Sequence, residues 1–198
     1  LVINVNVTSA HTYYRQRLSD MWMLNRGEAG DIPLASMKNT DCGGPYHLIN
    51  ATVNLIGPRR DPTQEPSEAF LFSRRFCGSP RVEYESTENF AGSGIISLAD
   101  AMAISGAAVS PMAGLKNPLL FYALLLTNAR LGQWIPNPGH HGFLSQRPTF
   151  IRAILSYLFQ VPEKAGYLYV SDGGHHDNTG IEALLQRRCR VILACDAS

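Results

Sequence analysis

The chain has 198 residues, of which 45% are hydrophobic and 17% charged, and its formal net charge is +1. That length can bury a sizeable core in one domain, and the apolar content excludes a disordered chain. The near-neutral balance supplies no global field for nucleic acid, and no stretch reaches the roughly 18 apolar residues of a membrane span.

In chain order, Val2–Val7 alternates apolar and polar residues and predicts a strand. Ser9 is placed to cap a helix reaching about Leu24, with Tyr13, Leu18, Met21 and Trp22 on its apolar side. Asn25–Gly44 is polar and glycine-rich, hence a loop. Leu48–Ile56 is a strand with β-branched residues, and the proline-rich Gly57–Ser67 after it is an exposed excursion. Ala69–Ser73 and Arg81–Tyr84 are short strands, where core packing of Phe70, Phe72 and Phe76 is favoured over an apolar groove. Ser97 and Asp100 form a variant of the capping box for a helix running to about Ala108, stopped by Pro111.

A helix over Leu119–Ala129 follows, containing the most apolar run of the chain, which is either core or a face touching lipid. Gly132–Gly142 is a loop, with Trp134 as a buried anchor in preference to an interfacial one. Thr149–Phe159 is an amphipathic helix. The last segment reads strand, loop, helix, strand: Tyr167–Val170, then Ile181, Leu184 and Leu185 at helical spacing, then Val191–Ala194. Arg187, Arg188 and Arg190 stand where a helix C-terminus favours cations. Such a unit builds a parallel sheet, so the expected fold class is α/β in one domain over residues 1–198.

Open α/β sheets place their chemistry at the carboxyl ends of strands, where Asp172 and Asp196 both fall. Asp172 precedes Gly173 and Gly174, which allow positive φ and leave room for a substrate. Its bland reading is a turn cap that accepts backbone N–H bonds; its functional reading is a general base. Function is favoured for Asp172 and a capping role for Asp196. Asn178 is read as the cap of the helix entering Ile181, and as a brace for the Asp172 loop. His175, His176 and Asp177 suggest a metal, but zinc needs a third or fourth ligand that the spacing of His140 and His141 does not require. Solvated loop histidines are the favoured reading, with no metal and no cofactor. Cys42, Cys77, Cys189 and Cys195 form no C-x-x-C, which points to free thiols in a reducing, cytoplasmic setting.

Ser171-Asp172-Gly173-Gly174, with the following helix and the Ile192–Ser198 segment, resembles the C-terminal part of patatin-like lipid acyl hydrolases and the cytosolic group IV phospholipases. His47–Leu55, Ala101–Pro111 and Asn128–Pro138 add to the resemblance, which runs from about residue 45 to the end. It implies a three-layer sandwich with a mainly parallel central sheet, of which this chain holds the C-terminal portion. It also implies a Ser–Asp dyad with Asp172 as the base, a site shaped by Gly173, Gly174 and Asn178, and no metal. The chain contains no G-x-S-x-G: neither Ser93 nor Ser105 has glycine two residues away on both sides. The nucleophile is therefore expected in sequence outside this chain, and missing N-terminal sequence or a partner chain is expected to cover the apolar surface of the partial sheet. The implied substrate is a phospholipid or neutral lipid, met by peripheral contact with a membrane. The alternatives are a noncatalytic lipid-binding or interaction module with the same fold, and a metal-dependent hydrolase built on Asp172, His175, His176 and Asp177.

Overall fold

The structure is a computed structural model that describes residues 4–25, 28–29, 31–37, 45–55, 65–90, 96–110, 123–124, 126–139, 149 and 166–195. Helix α1 (His11–Trp22) comes first, then a small hairpin of β1 (Leu24–Asn25) and β2 (Glu28–Ala29). Strands β3 (Leu48–Asn54), β4 (Ser67–Ser73), β5 (Phe76–Ser79) and β6 (Glu83–Ser86) follow, then α2 (Leu98–Ser105). The C-terminal elements are β7 (Gln133–Pro136), β8 (Tyr167–Asp172) and a short helix, α3 (Glu182–Gln186).

Six strands form one sheet in the order β6-β5-β4-β3-β8-β7, and every neighbouring pair is antiparallel. The sheet curls into a half-barrel with few helices, which corrects the expected three-layer α/β sandwich and its parallel sheet. The connections explain the difference. Arg74 and Arg75 alone separate β4 from β5, and Pro80–Val82 separate β5 from β6. Turns this short join only antiparallel strands, because a parallel crossover needs a dozen residues or more.

The last strand of the expected β-α-β unit does not form. Residues 191–195 have no strand partner, and Val191 and Leu193 are each 87% exposed. Strand β8 already has β3 on one side and β7 on the other. Both of its hydrogen-bonding edges are filled, so no slot remains beside it for a parallel strand.

Strand alternation sorts the two faces of the sheet. Ala51, Val53, Phe70, Phe72, Leu168 and Val170 are buried in one core cluster, which also takes Ala101 and Ile104 of α2. Two neighbouring benzyl rings of that cluster, Phe70 and Phe72, lie 4.9 Å apart, whereas Phe76 is exposed. Thr52, Asn54, Tyr169 and Ser171 fall on the opposite face, where Trp134 packs its ring 5.4 Å from Tyr169. Trp134 is thus a buried anchor, though on strand β7 and not in a loop. The predicted capping box is present: Ser97 Oγ accepts the Asp100 N–H, and the Asp100 carboxylate accepts the Ser97 N–H.

Two N-terminal expectations fail. Residues 5–8 form turns in place of a strand, and only Asn4 makes a bridge, to Thr149. Ser9 does not cap α1; its hydroxyl donates to the Asn6 carbonyl. Helix α1 also turns its expected apolar side outward, leaving Tyr13, Met21 and Trp22 exposed. Polar contacts decide that orientation. Arg15 pairs with Asp31 and Asp100, and the ring of buried His11 lies 2.5 Å from the Leu131 carbonyl.

The 119–129 helix lies largely outside the described residues, although 123–124 and 126–127 are helical. Of the 149–159 helix only residue 149 is described. Among the described residues no helix is long and apolar enough to cross a membrane.

Candidate active site

The β3–β8 register builds the site. Ala51 pairs with Asp172 and Val53 with Val170, so Asp172 emerges on the α2 face of the sheet as β8 ends. A one-turn 3-10 helix, Gly173–His175, takes over at that point. The carboxylate of Asp172 accepts the Gly174 N–H through Oδ1 at 2.8 Å. This bond is the turn-cap contact of the bland reading, and it engages one oxygen. Asp172 Oδ2 makes no hydrogen bond within the protein among the described residues. The residue borders a cavity of about 330 Å³ that Ser105, Asn178, Leu48 and Leu71 also line.

The two glycines are needed for space and not for positive φ, which corrects the sequence expectation. A Cβ on Gly173 would stand 2.8 Å from the Asn50 carbonyl oxygen, a backbone atom of β3 that cannot yield. A Cβ on Gly174 would stand 2.8 Å from Asn178 Oδ1 and 3.3 Å from Asp172 Oδ1. Exchange of Gly173 for Val in the full-length protein is therefore expected to push the loop off β3. A displacement near 1 Å would lower any turnover that depends on Asp172 about a hundredfold. Parental kcat in that variant would show that the loop tolerates the shift.

Asp177, and not Asn178, caps the entry to α3. Its carboxylate accepts the Thr179 and Gly180 N–H groups and the Thr179 hydroxyl on Oδ1, and the Glu182 N–H on Oδ2. Burial alone would raise its pKa. The bonds from Glu182, Thr179 and Gly180 outweigh burial and hold the carboxyl below its ordinary value. A carboxylate depressed in the folded state stabilises the fold above its unfolded pKa, near 3.8, and loses that contribution as pH falls through the folded value. Asp177→Asn is expected to cost about 1–2 kcal/mol at pH 7, and that deficit should narrow in melts below pH 4. An equal deficit at pH 7 and pH 3 would contradict the assignment.

The Asn50 amide ties the same loop to β3 by donating to the Asp177 carbonyl at 2.9 Å. Asn178 is exposed, and its side chain makes no hydrogen bond among the described residues. His175 Nδ1 lies 3.1 Å from the buried Ser171 hydroxyl. His176 Nε2 lies 3.1 Å from Glu182, with Glu65 at 3.6 Å from its other nitrogen. The two rings thus diverge, and no group of three potential metal ligands converges among the described residues. His140, His141, Ser93 and Asp196 lie outside the described residues.

The sequence did not single out Ser105, Asn50 or the capping role of Asp177 for the site. Ser105 carried one signal. The capping box at Ser97 fixes the start of α2, which puts Ser105 in its last turn, and Gly106 marks a close approach there, to the Tyr14 hydroxyl. The Asp177 signal was its place five residues before the Glu182 N–H that it accepts. No family model, no curated protein and no solved structure matches this chain.

Proposed function

We propose that the chain carries the general base of a lipid acyl ester hydrolase that works through a Ser–Asp dyad. The observation behind this reading is the divided environment of Asp172. One oxygen is fixed by the Gly174 N–H, the other has no protein partner among the described residues, and the residue borders a cavity wide enough for part of a substrate. A carboxylate held this way keeps its orientation while its free oxygen accepts a proton. The resemblance of Ser171–Gly174 to the dyad motif of patatin-like and group IV enzymes supports the same assignment.

In this mechanism a serine from sequence outside the 198 residues attacks the ester carbonyl while Asp172 takes its proton. The C–O bond to the alcohol breaks, the alcohol leaves with that proton, and an acyl-serine remains. Water then attacks the acyl group and gives its proton to Asp172. The acid departs, and the serine recovers its hydrogen. Developing negative charge on the carbonyl oxygen is met by N–H donors. The substrate is a phospholipid or neutral lipid, reached by peripheral contact with a membrane, and the free thiols Cys77, Cys189 and Cys195 suit a cytoplasmic setting.

A fluorophosphonate probe, which is attacked only by an activated serine, tests the class of reaction. The full-length protein is expected to be labelled stoichiometrically, with the same rate after chelator treatment. Absence of labelling together with intact binding of lipid vesicles would favour the noncatalytic lipid-binding module. Labelling abolished by chelator and restored by a divalent metal would favour the metal-dependent alternative.

A further inference from the structure

Most polar groups lining the Asp172 cavity are already engaged. The Asn50 amide donates to the Asp177 carbonyl, and the Asp177 carboxylate accepts the Thr179 hydroxyl and the Thr179 and Gly180 N–H groups on Oδ1 and the Glu182 N–H on Oδ2. Besides Asn50 Oδ1, three polar heads remain without a protein partner among the described residues: the second oxygen of Asp172, the Asn178 amide and the Ser105 hydroxyl. They come from three separate elements, the end of β8, the loop before α3 and the last turn of α2.

Ser105 is poorly placed to be a nucleophile. It is the last residue of α2, where the helix carries negative partial charge that disfavours an alkoxide or oxyanion. The next backbone N–H, that of Gly106, already donates to the Met102 carbonyl. A hydroxyl at that place can still donate to, or accept from, a neutral ligand.

The chemistry of the three heads selects the ligand. An amide and a hydroxyl each donate and accept, and a carboxylate oxygen accepts. No Lys or Arg stands among the described lining residues. A phosphate placed there would meet the Asp172 charge with no cation beside it, whereas neutral hydroxyl groups would satisfy all three heads.

The geometry points to Ser105 as a substrate-positioning residue whose hydroxyl, with the Asn178 amide, holds an uncharged, hydroxyl-bearing alcohol portion of the ester beside the free Asp172 oxygen. This assignment rests on the proposed ester hydrolysis and narrows it to esters of neutral polyols, such as acylglycerols or acylated sugars.

The test is a calorimetric titration of 1-monobutyrin into the full-length protein carrying Asp172→Asn, which removes turnover, with and without Ser105→Ala. The Ser105→Ala change is expected to raise Kd roughly five- to tenfold, the loss of one neutral hydrogen bond. Ser105→Thr, which keeps the hydroxyl, should return Kd to within about twofold. Methyl butyrate has the same acyl group and no hydroxyl, so its affinity should not change with Ser105→Ala. Glycerol 1-phosphate should bind at least about tenfold more weakly than monobutyrin. An unchanged monobutyrin Kd in Ser105→Ala, equal loss for methyl butyrate, tight binding of the phosphate, or no monobutyrin binding at all would each overturn the assignment. Failure of the hydrolysis reading shows separately, as turnover that survives Asp172→Asn, and the Kd ratios decide Ser105 in either case.

Discussion

Exchange of Asp172 for Asn in the full-length protein is expected to lower kcat for p-nitrophenyl butyrate by roughly 10²–10⁴-fold, the usual contribution of a positioned general base. The substitution is isosteric. An Asn Oδ1 can still accept the Gly174 N–H, the bond by which this side chain holds the turn. The loop should keep its shape, and the melting temperature should stay within about 2 °C of the parent. Only the proton-accepting oxygen is lost, because an amide nitrogen in its place cannot take the serine proton. Steady-state kinetics and a thermal melt on the same preparation check both halves. A variant with parental kcat would reduce Asp172 to a turn cap, and an unfolded one would leave Gly173→Val as the probe of the same loop.

The second large effect concerns stability. Arg130→Lys is expected to cost on the order of 3 kcal/mol and to lower the melting temperature by roughly 6–12 °C. Arg130 is 2% exposed and sits between the N-terminal segment and the start of β7. Its Nε donates to Asn128 Oδ1 at 2.9 Å, Nη1 to the Gly132 carbonyl at 2.5 Å, and Nη2 to Val5 O and Asn6 Oδ1 at 3.1 Å each. Its guanidinium also lies 5.6 Å from the centre of the Tyr169 ring. A lysine brings three donors at one point, so it cannot reach four acceptors spread around a planar fork. Carbonyls left unmet in the interior account for most of the loss. The consequence reaches the site indirectly, because Tyr169 belongs to the strand that ends at Asp172. A melting temperature within 2 °C of the parent would mean that water enters and replaces the lost bonds.

Part of this molecule was legible from residue order alone. Leu48–Ile56 and Ala69–Ser73 read as strands, and strands run over Leu48–Asn54 and Ser67–Ser73. The Ser97/Asp100 box correctly marked the start of α2. The Asp172-Gly173-Gly174 turn does end a strand beside a cavity, and local sequence encodes it because the bond from Gly174 to Asp172 spans two residues.

Sheet direction was misread, although a local signal for it existed. Strands separated by two residues at Arg74-Arg75 and by three at Pro80–Val82 can only be antiparallel. The strand–helix–strand pattern of residues 167–194 carried more weight, and it omitted competition for the edges of β8. Those edges are taken by residues 51–54 and 133–136, pairings across more than a hundred and about thirty residues that no local period reveals. Helix α1 failed for a related reason. Tyr13, Leu18, Met21 and Trp22 suggest an apolar side, but the buried His11 and Ser19 and the ion pairs of Arg15 with Asp31 and Asp100 set which residues face inward. The exchange of roles between Asn178 and Asp177 is a shift of one residue. Both can cap, and the bonds that Asp177 accepts from Thr179, Gly180 and Glu182 distinguish them.

The most direct measurement of the central claim compares Asp172→Asn with Asp177→Asn in the full-length protein, recording kcat for p-nitrophenyl butyrate and melting temperature for each. Both carboxylates border one cavity, but only Asp172 has a free oxygen, while Asp177 holds the loop with both of its own. The account predicts an inactive Asp172→Asn protein that melts with the parent, and an Asp177→Asn protein that melts lower and retains measurable turnover. Full activity in Asp172→Asn, or its loss in an Asp177→Asn protein that melts with the parent, would contradict it.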